Sequence, residues 1–375
     1  MKHSTLALGL WSLGLLHCSS DKVVLVADER NAGGKDGGAG KESGQAGSLT
    51  ASAAAGGMSD APEGGTSGAP DVATGGSSGT AGGLGAEAGA GGSPESVSVG
   101  RSCQGMAAIC GPTQSSDCCA WAAVPGGAFN RSNDPTAPAT ISDFGLDTYE
   151  ITVGRFRAFL QSPDDKIPPS GSGNNPNDPT DLGWDSTWNA ALEAGLTAAS
   201  RSSAGGTWTD EAGENEGKPL NHLAWIEALA FCIWDGGRLP TEAEWNYAAA
   251  GGAEQRVYPW SNPPESDAID DSYAVYDTEE GLLVVGSRSP KGDARWGHAD
   301  MAGSLFEFTR DYWVNPYPVP CVDCAVLAAD PQELIHVNRG GSHAHSAALA
   351  LTSARERFGN DALSRSGNVS ARCAR

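Results

Sequence analysis

The stretch that decides the fold is Gly237-Arg-Leu-Pro-Thr-Glu-Ala-Glu-Trp245, which joins two predicted helices. The helix before it, with apolar residues from Trp225 to Ile233, ends at Gly236-Gly237, because glycine favours a helix stop. The helix after it begins at Thr241, which is spaced from Glu244 as a capping box requires. We therefore interpret Glu244 as a helix cap and not as a catalytic acid.

The composition shows which part of the chain can build a core around this helix pair. Apart from Trp11, every aromatic residue lies at Trp121 or later. Between Asn31 and Gly100 the residues Gly, Ala and Ser dominate, and such a stretch cannot bury enough apolar surface to offset its ordering entropy. The formal charge of −22 excludes a basic nucleic-acid-binding protein. We predict four segments: a signal peptide at 1–18, a disordered tether at 19–100, a Cys-rich lead-in at 101–123 and a folded domain at 124–375.

The first residues carry an export signal. Lys2 and His3 precede an apolar run from Leu6 to Leu16, whose length fits a signal-peptide core and not a membrane-spanning helix. The run ends in Leu15-Leu16-His17-Cys18, which resembles a bacterial lipobox, although a small residue is usual where His17 stands. We expect lipidation of Cys18 and a place in the bacterial cell envelope, at the outer membrane or surface. An ordinary cleaved signal is the alternative.

The other eight cysteines are an even number, which fits disulfide pairing in an oxidising compartment. Cys118 and Cys119 are adjacent and poor partners for each other, so we expect each to pair with Cys103 or Cys110, in either connectivity. A four-thiolate zinc site is the alternative, but export and the spacing argue against it. The Cys321-Val-Asp-Cys324 motif predicts a local bridge and not a redox pair, because no βαβ pattern surrounds it.

The amino-terminal part of the folded domain reads as a mixture of strands, one helix and loops. We predict a strand with a tight turn over Val124–Phe129 and one half-buried strand over Ala139–Phe144. Thr152 is placed to cap a helix from Val153 to Leu160. Residues Ile167–Gly217 are rich in Pro, Gly, Asn, Asp and Ser, and three tryptophans hold this irregular region, which we expect to contribute to a binding surface.

Several separate motifs follow one another along the folded domain. They are Asn221-His-Leu-Ala-Trp225, Gly237-Arg-Leu-Pro-Thr-Glu-Ala-Glu-Trp245, Tyr258-Pro-Trp260, Asp300-Met-Ala-Gly303, Glu307-Phe-Thr-Arg-Asp311, Arg339-Gly-Gly-Ser342 and Ala371-Arg-Cys-Ala-Arg375. In this order they resemble the formylglycine-generating enzyme (sulfatase-modifying factor) family, from about Val124 to Arg375. The resemblance implies an α+β fold with low regular secondary structure, a C-type-lectin-like variant.

The residues that carry the chemistry of this family are changed here. The family enzyme oxidises a cysteine of a sulfatase to formylglycine with a copper ion held by two thiolates. When residues are counted from the Arg339-Gly-Gly-Ser342 motif, the two copper-binding cysteines of the family correspond to His345 and Ala350 in this sequence. Because Cu(I) selects thiolate and thioether ligands, we expect copper to be absent and the family's oxidation of sulfatases to be lost.

The resemblance also implies one disulfide and one metal loop. Cys232 and Cys373 match a bridge of the family, whereas the positions of its second bridge are Ala249 and Arg355. A calcium loop of the family matches the stretch that begins at Asp300, and its oxygen ligands suit Ca²⁺. We expect a structural calcium ion there. The implied ligands are Asp300, Gly303, Leu305 and Glu307.

Three functions remain compatible with these residues, so the sequence leaves open whether the domain is an enzyme. We favour a non-oxidase that binds an extracytoplasmic protein, peptide or glycan, with membrane contact only through its anchor. The alternative is a divergent metal-dependent oxidoreductase acting on a protein or a sulfur-containing substrate. It would use Ser342, His343 and His345, since residues two apart on a strand share a face, with His222 or His298 as a third ligand. A structural envelope protein that serves surface display is the third.

Overall fold

The helix pair around the Gly237–Trp245 stretch is confirmed by the computed structural model, which describes residues 100–197, 203–327, 335–358 and 363–375. Helix α3 spans Trp225–Trp234 and helix α4 spans Glu242–Ala249. The capping box is present: Glu244 N donates to Thr241 Oγ1 at 3.1 Å, and Thr241 N donates to Glu244 Oε2 at 2.8 Å. Arg238 also donates to both carboxylate oxygens of Glu244. Glu244 is therefore a structural residue.

The helix predicted after Thr152 is also confirmed. Helix α1 spans Val153–Gln161, and the Thr152 hydroxyl accepts a hydrogen bond from Arg155 N at 3.2 Å. Phe156 and Phe159 of α1 pack on Phe231 of α3, with ring centroids 5.8 Å apart in both pairs. Full burial of each such ring contributes about 1.5–3 kcal/mol. The contact between α1 and α3 forms the centre of the larger core.

The region predicted to be irregular contains a helix that the sequence analysis missed. Helix α2 spans Asn189–Thr197, directly after a 3-10 turn over Ser186–Trp188. Trp184 is fully buried, its ring contacts Trp188 edge-on, and Trp188 in turn contacts Trp225. These tryptophans belong to the core. The prediction that tryptophans hold this region in place is confirmed for Trp184 and Trp188, and a binding role of the region stays a prediction.

The amino-terminal strands form two separate pairs. Strand β1 (Trp121–Val124) pairs antiparallel with β4 (Phe144–Asp147), and β2 (Gly127–Asn130) pairs antiparallel with β3 (Pro138–Ile141). The single strand predicted over Ala139–Phe144 is thus two strands. The chain changes direction at Ser142-Asp143, where Asp143 accepts a hydrogen bond from the backbone N–H of Gly126 at 2.7 Å.

A four-stranded sheet positions the candidate site. Its strands are β5 (Phe306–Tyr312), β6 (His336–Arg339), β7 (Glu356–Phe358) and β8 (Val369–Ser370), in the order β7-β6-β5-β8. Glu307 of β5 pairs with Arg339 of β6, so the start of β5 lies beside the end of β6. Consequently the loop that enters β5, with Asp300, lies next to the loop that leaves β6, with Ser342.

Four disulfides fasten the described part of the chain. Cys103 joins Cys119 and Cys110 joins Cys118, which settles the connectivity that the sequence left open. The pair implied by the family resemblance, Cys232 and Cys373, is bonded, and it ties α3 to the carboxyl terminus. Cys321 and Cys324 form the predicted local bridge.

The segments assigned to export lie elsewhere in the chain. The signal peptide at 1–18, the lipobox-like Cys18 and the tether up to residue 99 lie outside the described residues. Within the described ranges, no helix has the length and apolar character needed to cross a membrane.

Candidate functional site

The loop after β6 forms the centre of the candidate site. It leaves the strand through Gly340 and Gly341, whose φ angles of 96° and 75° are ones that glycine adopts readily. A Cβ at Gly341 would lie 2.9 Å from the backbone of Leu349, so the turn also needs glycine for space. Hydrogen bonds fix the loop from outside: Thr278 N donates to the His343 carbonyl oxygen and Asp277 N to that of His345, at 2.9 and 3.0 Å.

Ser342 and His345 contact each other inside this loop. Ser342 Oγ lies 2.6 Å from His345 Nδ1 and accepts a hydrogen bond from Ala344 N at 3.3 Å. A hydroxyl can donate one hydrogen bond and accept two, so the direction of the Ser342–His345 bond depends on the imidazole tautomer. We assign the tautomer with the proton on Nε2, in which the hydroxyl donates to Nδ1. Burial, and then the neighbouring His343, lower the pKa of His345, which favours this neutral form.

His343 and His345 do not lie on a strand. Strand β6 ends at Arg339, and both histidines lie in the turn that follows, so the predicted common strand face was wrong. The glycines at 340 and 341 end the ladder before the His-x-His motif. His343 is directed to the neighbouring loop, where its Nδ1 lies 3.3 Å from the Ser304 carbonyl oxygen.

The third ligand proposed for a histidine metal site is not brought to it. His298 is fully buried, and burial lowers its pKa to about 3. His222 lies beside Gly367, and burial also lowers its pKa. Among the described residues, the group of three possible ligand atoms within 4.8 Å of one another is Cys103, Asp117 and Cys119, and both of these cysteines are in a disulfide.

A cavity opens beside His345. We call it the His345 cavity; its volume is 240 Å³. The ring of His345 contacts Phe306 edge-on at 5.1 Å on one wall, and the amide oxygen of Asn338 is buried there without a hydrogen-bond partner among the described residues. Burial raises the pKa of Glu356, which also lines the cavity. The full lining is Phe306, Asn338, His345, Leu349, Glu356, Arg357, Ser366, Asn368 and Val369.

The loop predicted to bind calcium carries an excess of buried carboxylates. Glu307 accepts from Arg372 at 2.6 and 2.7 Å and from Trp245 Nε1 at 2.8 Å. Asp300 accepts from Gly286 N at 2.5 Å, and burial raises its pKa to about 6. Glu150, which the sequence analysis did not identify, accepts from the Ser304 hydroxyl and from Leu305 N, and burial raises its pKa well above the usual range.

These charges decide whether a cation fits the loop. Arg372 is the guanidinium that the three carboxyl groups of Glu150, Asp300 and Glu307 share. Buried charges need compensation, and hard oxygen donors suit a calcium ion. The loop thus has oxygen donors of the kind calcium prefers, although both carboxylate oxygens of Glu307 accept from Arg372, so calcium stays a prediction. The carbonyl groups of Gly303 and Leu305 belong to the same loop, between Asp300 and Glu307. Nothing in the sequence around Glu150 indicated that it would reach this loop.

The positions that differ from the copper enzymes have well-defined surroundings. Ala350, at the second thiolate position, is buried beside Tyr258 and Ala302. Ala249 is buried in α4, and Arg355 packs its guanidinium over the rings of Trp313 and Tyr317. Each replaced cysteine position is therefore occupied by a packed side chain.

A family model for the sulfatase-modifying factor enzyme 1-like domain matches residues 108–375. The chain belongs to this family. The match begins before the predicted boundary at Val124 and includes part of the Cys-rich lead-in. Members of this family have a variant of the C-type-lectin-like fold. The α+β architecture of this chain, with its low content of regular secondary structure, agrees with that fold.

Individual relatives include active and inactive forms. A formylglycine-generating enzyme from Thermomonospora curvata is 26% identical over 227 residues, covering 51% of this chain and 71% of the relative. A protein from Bos taurus named inactive C-alpha-formylglycine-generating enzyme 2 is 26% identical over 293 residues, covering 67% of this chain and 86% of that relative. The solved structure of PvdO from Pseudomonas aeruginosa aligns with a TM-score of 0.46 at 16% identity, covering 68% of this chain and 93% of PvdO.

Proposed function

We propose that this domain is a binding module for a protein or peptide segment and that it does not perform the copper-dependent oxidation of its family. The replacement of both thiolates carries this proposal. The methyl group of Ala350 offers no ligand atom, and His345 is hydrogen-bonded through Nδ1 to Ser342. The naming of one relative as inactive supports the idea that the fold is retained where the oxidation is not.

The His345 cavity offers one donor and one acceptor to a ligand. With Nδ1 occupied by Ser342, the Nε2–H of His345 is the donor. Asn338 lines the cavity, and its buried amide oxygen, which has no partner among the described residues, would be the acceptor after a side-chain rotation; leaving such an acceptor unpaired costs about 1–3 kcal/mol. A peptide group carries a carbonyl oxygen and an N–H that match both. Phe306 and Leu349 supply apolar contact for a neighbouring side chain. We therefore favour a polypeptide ligand over a glycan.

The metal-dependent oxidoreductase through His343 and His345 has less support. Both histidines use Nδ1 toward protein oxygens, Ser304 O and Ser342 Oγ. His222 and His298 do not join them in a ligand group among the residues that the structure describes. No observation favours this second candidate.

Calcium is proposed as a structural ion, with Asp300, Gly303, Leu305 and Glu307 as its ligands. The buried carboxyl excess around Arg372 supports it, because the ion would compensate that charge. Its role would be to hold the loop that enters β5, next to the His345 loop. The attachment of the mature protein to the bacterial envelope through lipidated Cys18 is proposed from the lipobox-like sequence.

A peptide-display selection tests the binding proposal. A random hexapeptide phage library is panned on the purified mature chain, and enriched peptides are synthesised and titrated by fluorescence anisotropy. We expect His345→Ala and Asn338→Ala each to weaken binding at least tenfold. The matched control is Lys166→Ala, because this residue lines a different cavity.

Two results would overturn the proposal. One is the absence of any enriched peptide on the folded protein. The other is enrichment of peptides that bind the two cavity variants as tightly as the parent protein, since the ligand would then occupy another surface. Circular dichroism and the thermal midpoint establish that each variant is folded.

A further inference from the structure

Three guanidinium groups converge around Tyr317, which the proposed function does not use; those of Arg131 and Arg339 are buried, and that of Arg355 is partly exposed. Arg131 and Arg355 stack on the Tyr317 ring, with guanidinium carbons 4.4 and 4.1 Å from its centroid. Arg339 donates from Nη2 to the Tyr317 hydroxyl at 2.8 Å. Burial raises the pKa of Tyr317 to about 12, so its hydroxyl stays protonated and adds no negative charge at neutral pH.

Carboxyl groups surround these guanidinium groups, and two of them are buried. Glu242 accepts from Arg339 and, at 2.7 Å, from the Tyr317 hydroxyl. Asp311 is engaged with the backbone, accepting from Glu242 N and Val326 N at 2.8 Å each. Two buried carboxyl groups thus lie among the three guanidinium groups, and a third carboxyl group, that of the exposed Asp134, lies at the adjacent cavity.

Arg355 extends from this cluster to a cavity, which we call the Arg355 cavity. Its side chain is 10% exposed, and its guanidinium carbon lies 4.3 Å from the centroid of the Trp313 ring. Nη1 donates to the Val314 carbonyl oxygen at 2.7 Å. Nε has no hydrogen-bond partner among the described residues and lies 3.9 Å from Glu242 Oε1. The group is therefore held in place between two rings, with Nε facing Glu242 and the side chain partly exposed.

The walls of the Arg355 cavity define the size and charge of a ligand. Its volume is 220 Å³, about the space of seven water molecules. Trp313 and Tyr317 offer flat apolar faces, and Asn315 offers an amide. Asp134 also lines the cavity; it is exposed, and its Oδ1 accepts from Thr136 N and Oγ1 at 2.8 Å. Its negative charge disfavours a ligand with two charges.

We propose that the Arg355 cavity binds the carboxylate of a small, flat monocarboxylic acid whose apolar part packs on Trp313. A carboxylate matches the planar guanidinium fork of arginine, and Arg355 presents that group at the cavity wall. The adjacent ring supplies the stacking surface that an aromatic acid requires. This site is separate from the His345 cavity, although Arg355 and Glu356, which lines that cavity, are neighbours in the chain.

Calorimetric titration of the full mature chain with benzoate tests this site, with benzamide as the neutral isostere. We expect saturable one-to-one binding of benzoate and at least tenfold weaker binding of benzamide. Arg355→Gln is expected to weaken benzoate binding at least tenfold, whereas Arg355→Lys, which keeps the charge but not the fork, falls between. Arg101→Gln is the matched control, because it removes the same charge from an exposed side chain that lines another cavity.

The proposal is overturned if benzoate gives no saturable binding, if benzamide binds equally well, or if Arg355→Gln leaves the benzoate affinity unchanged. Should Arg355→Gln fail to fold by circular dichroism, Trp313→Leu is titrated instead and must weaken benzoate binding by a similar factor. Because benzoate and the hexapeptides use different cavities, excess benzoate is expected to leave peptide binding unchanged. Failure of one proposal therefore does not imply failure of the other.

Discussion

Asp311→Asn should change how the stability of the domain depends on pH. Asp311 lies on β5 with a buried carboxyl group. Burial, and then the charge of Glu242, raise its pKa from 3.8 to about 7. Because the folded state holds the proton more tightly than the unfolded state, ionisation above pH 7 opposes folding. The contribution of this group to the free energy of unfolding therefore increases as the pH falls from 8 toward 4.

The size of this effect follows from the pKa difference. A difference of about 3 units corresponds to about 4 kcal/mol in full, of which about 2–3 kcal/mol is gained between pH 8 and pH 5. The asparagine variant stays neutral and lacks this gain. Urea unfolding of both proteins at pH 8 and pH 5 measures it, because all other titrating groups are shared. Equal pH dependence in the two proteins would refute the assigned pKa.

Three further changes test other parts of the structure. Replacing Cys232 and Cys373 by alanine opens a loop with a sequence separation of 141, and urea unfolding should show a loss of up to about 5 kcal/mol; no loss would exclude the bridge as a stabilising element. Arg155→Met removes the fully buried one of the two arginines that Asp147 and Asp235 share, and Arg375 remains as the other, so the same measurement should show a loss below the about 3–5 kcal/mol of an unpaired buried charge; a neutral result would contradict the charge assignment. Adding millimolar calcium to the chelator-treated protein should raise the thermal midpoint, and Asp300→Asn should reduce the rise; equal midpoints with and without calcium would argue against the site.

The helices that could be predicted are those whose capping residue and apolar pattern stand next to each other in the sequence. The caps at Thr152 and Thr241 stand next to the helices they begin, and periodic apolar residues follow each of them. Helix α2 was missed because it follows a stretch rich in Pro, Gly and Asn, and its burial depends on contacts with α3. At the strand break, Asp143 accepts from Gly126 N and Ser142 N donates to Asp323, and both partners are distant in the sequence.

In the candidate site, too, some features are visible in the sequence and others depend on tertiary packing. The loss of both thiolates is visible in the sequence once the Arg339-Gly-Gly-Ser342 motif is aligned. The strand expected at the His-x-His motif was wrong, since paired glycines with positive φ end β6 first. The roles of Glu150 and Asn338 follow only from tertiary packing, because a carboxyl or amide in a short polar pattern has no local signal of burial.

The measurement that tests the central claim most directly is a Cu(I) titration together with an assay of formylglycine formation in a cysteine-containing sulfatase peptide. It compares the parent protein with a variant that carries both His345→Cys and Ala350→Cys, which restores the two thiols. We predict that the parent protein binds no stoichiometric copper and forms no formylglycine, while the double variant binds copper. Stoichiometric Cu(I) binding and formylglycine formation by the parent protein would contradict the claim that this domain is not an oxidase.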